Sequence, residues 1–137
     1  MRGKEAGDEV MEYERLFMAL ADRTRLRLLN LMRGGEICVC YLVEVLGESQ
    51  PKISRHLAFL RRAGLVSARR EGKWMHYRMV EPDDGGAAGV MARLLDWLSE
   101  DKGMQRDRRR MLELSCMTSP PVQLQGAPKP VVKAAKG

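Results

Sequence analysis

Two cysteines that stand one residue apart are the side chains of this sequence best suited to chemistry. Cys38 and Cys40 lie in the run EICVCYL, and the third cysteine, Cys116, lies near the carboxyl end in ELSCMTSPP. Two thiolates at this spacing could bind a soft metal or metalloid ion, or could be oxidised together. The alternative is that both are small hydrophobic core residues, although i and i+2 positions at a helix start are an unusual way to fill a core.

The composition indicates the cellular compartment and the number of domains. The 137 residues are 45% hydrophobic and 31% charged, which suits one globular domain. The N-terminal run MRGKEAGDEVMEYE has no apolar segment like that of a secretory signal, and no apolar stretch reaches the roughly 20 residues of a membrane helix. We therefore expect a cytosolic protein with free thiols and no membrane partner, in which a C-x-C pair favours metal binding or redox activity.

The elements that hold the cysteines follow from helical periodicity. We predict a first helix over about residues 8–21 and a second helix that Asp22 caps and Gly34-Gly35 ends. A short third helix, ICVCYLVEVLG, ends at Gly47, because glycine readily takes the left-handed conformation found at helix ends.

The start of this third helix determines how the thiols can act. Cys38 falls at the capping position and Cys40 in the first turn, where unpaired N–H groups and the helix dipole favour thiolate over thiol. Side chains two residues apart on a regular helix point about 200° away from each other, so we expect one ion to bridge both sulfurs only if this turn opens. Such a deformation would couple ion binding to the helix that follows.

A fourth helix follows, with one apolar and one polar face. Ser49 is its predicted cap, and Ile53, Leu57 and Leu60 form its inner stripe up to Gly64. Its cap and outer face carry side chains of the types that hydrogen-bond bases or phosphates. These candidate DNA contacts are Ser49, Gln50, Lys52, Ser54, Arg55, His56 and Arg62.

Two β-rich runs, LVSARR and WMHYRMV, flank the turn EGK and predict a hairpin whose tip carries Arg69, Arg70 and Lys73. Residues 49–78 hold eight lysines and arginines against the single Glu71, a net charge of +7, whereas the other residues sum to −1. A basic stripe confined to one segment indicates phosphate binding, although a small bundle with a solvated cationic face remains the alternative. Together these elements predict a mainly α winged helix-turn-helix with a β-hairpin wing, which binds double-stranded DNA.

The remaining residues add a fifth helix and a tail. A glycine-rich linker from Gly85 to Gly89 precedes a helix that runs to Leu98, and a shorter helical segment covers about residues 104–115. We assign residues 1–117 to one DNA-binding and dimerisation domain and predict that residues 118–137, with four prolines, are a disordered tail. Spare apolar faces on the N- and C-terminal helices predict a two-fold homodimer on an imperfectly palindromic operator, with half-sites about 34–36 Å apart.

From about Leu16 to Val80 the chain resembles the ArsR/SmtB family of metal-responsive repressors. The resemblance rests on ALADRTRLRLLNLM, E-x-CVC-x-L and SQPKISRHLAFLRRAGLV, in that order along the chain. It implies a dimeric winged-helix repressor, not an enzyme, that leaves its operator when an inducer ion binds.

The resemblance also implies the inducer. Residues 81–137 contain no histidine, unlike the zinc-sensing branch, and residues 1–37 contain no cysteine, unlike the cadmium- and lead-sensing branch. What remains resembles the arsenite- and antimonite-responsive branch, which implies As(III) or Sb(III) at Cys38 and Cys40 and no organic cofactor. The family pattern CVCDLC has its third cysteine where this chain has Val43. Cys116, from either protomer, is therefore either the third ligand or an idle tail thiol.

Other functions compete for the same residues. The thiols could form a redox switch or a Cd(II)- or Pb(II)-responsive site on the same fold. A small thiol oxidoreductase is a further alternative, but the sequence lacks the pattern of a redox fold, and such an activity would not explain the basic stripe. Ser54 and His56 have no orienting carboxylate nearby in sequence, so a nucleophilic site is not expected, and His76 is expected to be a hydrogen-bonded surface residue.

Overall fold

The structure is a computed structural model and describes residues 12–130. Over this range it is mainly α-helical with a small antiparallel sheet, as predicted. The helices are α1 (Tyr13–Leu20), α2 (Arg23–Met32), α3 (Val39–Leu46), α4 (Gln50–Arg62), α5 (Gly85–Leu98) and α6 (Lys102–Cys116). The strands are β1 (Ile37–Cys38), β2 (Val66–Glu71) and β3 (Trp74–Met79), and a 3-10 turn follows at Val122–Leu124. None of the helices in the described range combines the length and the hydropathy that a membrane span requires.

Local capping signals are confirmed at both helices for which they were predicted. The Asp22 carboxylate accepts a hydrogen bond from the Arg25 backbone N–H at 3.0 Å, and the Ser49 hydroxyl accepts one from the Lys52 N–H at 3.3 Å. Gly47 ends α3 at φ 68°, in the left-handed region where a side chain would be strained. The part of the predicted first helix before Glu12 lies outside the described residues.

The hairpin forms with the predicted glycine turn and gains a third strand. Gly72, at φ 60°, turns the chain between β2 and β3, and Glu71 pairs with Trp74 across the turn. The strand order is β1-β3-β2, so the two-residue strand β1 attaches the hairpin to the segment that carries the thiols. Sequence reasoning assigned this segment to a helix alone, because two residues are too few to show the alternation of a strand.

One core joins α2, α3 and α4 beneath the sheet. Ile53, Leu57 and Leu60, the predicted inner stripe of α4, are fully buried against residues of α2 and α3. Tyr41 and Leu42 are buried in the same cluster. Because α3 and α4 share this core, the orientation of the outer face of α4 depends on α3.

Two C-terminal segments differ from their predictions. Gly85 to Gly89 do not form a linker: they begin α5, whose N-terminus Asp84 caps by accepting hydrogen bonds from the N–H groups of Gly86 and Ala87. The segment after α6 was predicted to be disordered, yet Leu124 is only 2% exposed and lies in the core cluster, where its 3-10 turn packs on α3. Burial of one apolar side chain there fixes a segment that local patterning indicates to be unstructured. Residues 131–137 lie outside the described range.

Candidate thiol site and nucleic-acid interface

The two thiols of the C-x-C pair are already in contact. The Sγ atoms of Cys38 and Cys40 lie 2.7 Å apart. Cys38 is the last residue of β1 and the N-cap of α3, with an extended backbone (φ −67°, ψ 140°). The prediction that the pair diverges by about 200° is therefore wrong, because that angle holds between two helical residues and Cys38 precedes the first helical residue.

The pair shares one proton unequally. A hydrogen bond from the Cys40 thiol is the main cause that lowers the pKa of Cys38 to about 6, helped by the Cys40 backbone N–H and the nearby charge of His76 and opposed by burial. The same hydrogen bond, together with burial and the neighbouring Cys38 charge, raises the pKa of Cys40. The expected thiolate thus forms at Cys38, while Cys40 stays a thiol until a ligand displaces its proton.

The donor set fits a soft ion with two protein ligands. Sulfurs that share one ion at about 2.3 Å in tetrahedral geometry stand roughly 3.8 Å apart, so ligation needs the Sγ atoms to separate by about 1 Å. Cys116 is exposed and ends α6. Within residues 12–130 no group of three or more His, Cys, Asp or Glu side chains is placed to hold a metal ion.

A charged cluster lies beside the thiols, and sequence reasoning missed it. His76 pairs with Cys38 across β1 and β3 and is 5% exposed, so the prediction of a surface histidine is wrong. Its Nε2 lies 2.8 Å from the Glu71 carboxylate, and its Nδ1 lies 3.9 Å from that of Glu36. Glu36 in turn accepts two hydrogen bonds from the Arg69 guanidinium, at 2.9 and 2.7 Å. We call Glu36, Arg69, Glu71 and His76 the wing cluster.

The outer face of α4 is exposed where the sequence predicts DNA contacts. Ser49, Gln50 and Arg55 are exposed at the start and along the outer side of the helix. Lys52 is half-buried, with its ammonium 3.2 Å from the Glu48 carboxylate. A surface ion pair of this kind contributes little to stability and leaves the cation available to a stronger anion.

A cavity of about 360 Å³ lies between α4 and β3, lined by Ala58 and by four polar or basic side chains. Two of the predicted contact residues, Ser54 and Arg62, line it. Arg61 and Tyr77 line it as well and were not predicted as contacts. Helical spacing could have indicated Arg61, since it stands seven residues after Ser54 on the same stripe.

His56 links α4 to the first two helices. Its Nδ1 lies 3.2 Å from the Arg25 guanidinium, which also donates to the carbonyls of Met18 and Ala19 at the end of α1. The pKa of His56 is lowered, chiefly by burial. A neutral ring that accepts at Nδ1 carries its proton on Nε2, which leaves that nitrogen free to donate.

The hairpin cations differ in how firmly they are held. Arg69 is bound by Glu36, as described above, whereas the exposed Arg70 contacts only the Gly72 carbonyl, at 3.4 Å, among the described hydrogen bonds. The Lys73 ammonium lies 4.9 Å from the centre of the Trp74 ring. Arg70 and Lys73 therefore remain at the predicted tip of the hairpin, while Arg69 faces back toward β1.

The short α3, the glycine turn, the capped α4 and the basic hairpin make a winged helix-turn-helix, the architecture of a class of DNA-binding regulators. Residues 22–68 match the family of bacterial regulatory proteins of the arsR type. The chain is 43% identical over 102 residues to the arsenical resistance operon repressor of Escherichia coli, covering 74% of this chain and 86% of that one. It belongs to the ArsR family of transcriptional repressors.

Two further relatives support this family assignment. The chain is 46% identical over 99 residues to the arsenic resistance transcriptional regulator ArsR1 of Pseudomonas putida, covering 68% of this chain and 77% of that one. The solved homodimeric winged helix-turn-helix domain of a possible ArsR-family regulator from Mycobacterium bovis superposes with a TM-score of 0.53 at 32% identity, covering 68% of this chain and 81% of that one. These relatives and this fold are those of DNA-binding regulators and not of enzymes.

Proposed function

We propose that this repressor is a metalloid sensor: a homodimer that binds a palindromic operator and leaves it when As(III) or Sb(III) binds the thiols of Cys38 and Cys40. The observation that carries the proposal is the 2.7 Å contact between the two sulfurs at the junction of β1 and α3. The names of its relatives in Escherichia coli and Pseudomonas putida support the choice of arsenic.

The chemistry of ligation balances with the groups present. Arsenous acid, As(OH)3, exchanges two hydroxides for sulfur, so that two As–S bonds form and two As–O bonds break. One departing hydroxide takes the Cys40 proton and the other takes a proton from solvent, because Cys38 reacts as the thiolate, and two molecules of water leave. Cys38 supplies the nucleophilic thiolate, because its pKa is lowered. Once the Cys38 sulfur gives its electron pair to arsenic, it no longer stabilises the Cys40 proton, and that thiol can react in turn.

A third sulfur would displace the last hydroxide on arsenic. Cys116 is the remaining thiol of the chain and is exposed at the end of α6. We keep it as the candidate third ligand, from the same or the other protomer. Two soft sulfur donors favour As(III) and Sb(III) over Zn(II), and among the described residues no His, Asp or Glu completes a group of three with them.

The DNA interface of the proposal combines α4 and the wing. Gln50, Ser54 and Arg55 face the major groove, and Arg70 and Lys73 contact backbone phosphates beside it. The basic cavity between α4 and β3 is the right chemistry for one backbone phosphate, with Arg61, Arg62 and Tyr77 as donors. The other predicted contacts serve the same surface: Ser49 as the cap, and Lys52, His56 and Arg69 at its margins.

The dimer of the proposal uses the exposed apolar side chains of the terminal helices. Tyr13 and Phe17 on α1, Trp97 on α5 and Leu112 on α6 are all exposed. Exposed aromatic side chains concentrated on the terminal helices are typical of an interface. A two-fold axis through them would set two α4 helices one turn of duplex apart. Such a regulator acts in the cytoplasm, where its thiols stay reduced.

The test is a titration of reduced protein on fluorescent promoter DNA, followed by anisotropy, with arsenite, antimonite, cadmium and zinc in turn. Arsenite and antimonite should release the DNA at lower concentrations than cadmium or zinc. The double variant Cys38→Ser/Cys40→Ser should bind DNA normally and ignore arsenite, while Cys116→Ser keeps the C-x-C pair. Unchanged release from the double variant would refute metalloid sensing at this pair.

A redox switch is the second candidate, and the same contact favours it. A thiolate that accepts a hydrogen bond from a neighbouring thiol can be oxidised to a sulfenate by peroxide, and the second sulfur can then displace hydroxide to form a disulfide. Release of DNA by peroxide, with no response to arsenite, would establish this function in place of metalloid sensing.

A further inference from the structure

The thiol site and the wing share one row of side chains across the sheet. Cys38 on β1 pairs with His76 on β3, and His76 pairs with Arg69 on β2. Residues that pair across antiparallel strands project their side chains on the same face, so the row runs without interruption from the thiol to the wing. None of these neighbours is close in sequence, and only the sheet brings them together.

The wing cluster closes this row into a loop of ionic contacts. The Arg69 guanidinium donates two hydrogen bonds to the Glu36 carboxylate and lies 3.8 Å from the Glu71 carboxylate. Glu71 in turn lies 2.8 Å from Nε2 of His76, and Nδ1 of His76 lies 3.9 Å from Glu36. Glu36 is two residues before Cys38 and directly precedes β1. A planar guanidinium that donates to both oxygens of one carboxylate is fixed in direction as well as in distance. The cluster therefore fixes the hairpin to the chain segment that carries the thiol.

We propose that Glu36 and Arg69 form a latch that holds the wing in its DNA-binding orientation, and that ligation at Cys38 acts on the wing through this latch. The proposal rests on the proposed function and adds a second route, through the wing, by which ion binding weakens DNA binding. The observation that supports it is the attachment of β1, which pairs with β3 at Ile37 and Cys38 only. Ligation requires the sulfurs of Cys38 and Cys40 to separate by about 1 Å, and the share of that movement taken by Cys38 falls on a strand with few other attachments.

The latch also gives Arg69 a role different from the predicted one. Both nitrogens of its guanidinium that face Glu36 are occupied. Arg69 is thus a positioning residue for the wing, and Arg70 and Lys73 are the cations that the wing presents. Release of the latch would let the hairpin tilt about its base, and would move these cations off the phosphates.

The test uses the fluorescence of Trp74, which stands at the start of β3 in the wing. The two tryptophans of the chain are Trp74 and Trp97, so full-length protein carrying Trp97→Phe reports on the wing alone. Because Trp97 lies in the proposed dimer interface, the DNA measurements are made on protein that keeps Trp97. Glu36→Gln removes the carboxylate of the latch and keeps its size, and Arg69→Gln removes the other partner. Glu100→Gln, at an exposed position between α5 and α6, is the matched control for the change in net charge.

Without inducer, Glu36→Gln and Arg69→Gln should both shift the Trp74 emission and speed amide exchange in β2 and β3, and Glu100→Gln should not. With arsenite, Glu36→Gln should bind the ion within about threefold of the parent, because neither sulfur is changed. It should nevertheless lose most of the weakening of DNA binding that arsenite causes in the parent, a factor that is about 5–150 in allosteric proteins.

Two results would overturn the latch. One is a Glu36→Gln variant whose Trp74 emission and amide exchange match the parent without inducer. The other is a variant that binds arsenite and releases DNA by the same factor as the parent. If arsenite binds no form of the protein, the proposed function fails instead, and the measurements without inducer still decide whether Glu36 and Arg69 hold the wing.

Discussion

The thiol site and the outer face of α4 are built in opposite ways. Cys38 is 1% exposed, and its chemistry depends on contacts with Cys40 and His76. Arg55 and Gln50, by contrast, are exposed on a helix whose inner stripe alone is buried. The difference teaches that a sensing group is defined by what packs around it, whereas a DNA-reading group is defined by which side of a helix it occupies.

The largest expected effect tests the thiol side of this comparison. Cys38→Ser should raise the arsenite concentration needed for DNA release by at least about 100-fold, since even the loss of an outer-shell partner of a metal ligand costs 10–100-fold. Cys116→Ser should cost less, because it leaves the contacting pair intact. The measurement is anisotropy of promoter DNA at fixed protein. An equal loss in the two variants would mean that the contact between Cys38 and Cys40 gives no advantage.

The second prediction concerns the DNA side. Arg55→Ala should weaken binding to the promoter by about 1–3 kcal/mol if it contacts a base, with thermal stability unchanged within about 0.5 kcal/mol. Calorimetric unfolding and binding to promoter and random DNA separate the two effects. An equal loss on both DNAs would reassign Arg55 to the phosphate backbone.

The third prediction uses pH to sharpen the thiol side. The pKa of Cys38 is lowered to about 6, chiefly by the Cys40 hydrogen bond, so its thiolate persists as the pH falls below the usual thiol range and disappears near that value. Any stability that this thiolate gives is present above the pKa of the unfolded thiol and is lost as the pH falls through about 6. Cys40→Ser should weaken the hydrogen bond and raise the pKa of Cys38. The ultraviolet absorbance of the thiolate against pH measures the shift, and an unchanged titration would show that Cys40 does not hold the proton.

The fourth prediction concerns the hydroxyl that caps α4. Ser49→Ala removes the hydroxyl that caps α4 and should lower the free energy of unfolding by about 1 kcal/mol. Ser119→Ala, at an exposed position after α6, is the control for loss of a hydroxyl. Urea unfolding of the two variants gives the comparison, and equal stability would mean that the cap contributes nothing in the folded protein.

The smallest effect distinguishes two neighbouring arginines. Arg70→Ala should lower the slope of log K against log salt by about 0.9 if Arg70 neutralises one phosphate. Arg69→Ala should lower it by about twice as much, because loss of the pair with Glu36 frees the wing and takes both Arg70 and Lys73 off the phosphates. Equal changes in slope would place both arginines on the DNA.

The sequence by itself determined the order of the helices, the caps of α2 and α4 at Asp22 and Ser49, the buried stripe of α4 and the turn at Gly72. Each depends on residues a few positions apart, where capping, periodicity and backbone freedom act directly. Only the tertiary structure decided the strand β1, the contact between Cys38 and Cys40, and the pairing of Glu36 with Arg69.

The physical reason is the distance along the chain between the partners. Glu36 and Arg69 are 33 residues apart, and the Arg27–Asp107 ion pair, with hydrogen bonds of 2.8 and 3.0 Å, joins residues 80 apart. No periodicity links such positions, because their meeting depends on how whole elements pack. The same holds for Cys38. Its spacing to Cys40 predicts that the two side chains point apart, but Cys38 pairs with β3 and lies outside the helix, and its sulfur contacts that of Cys40.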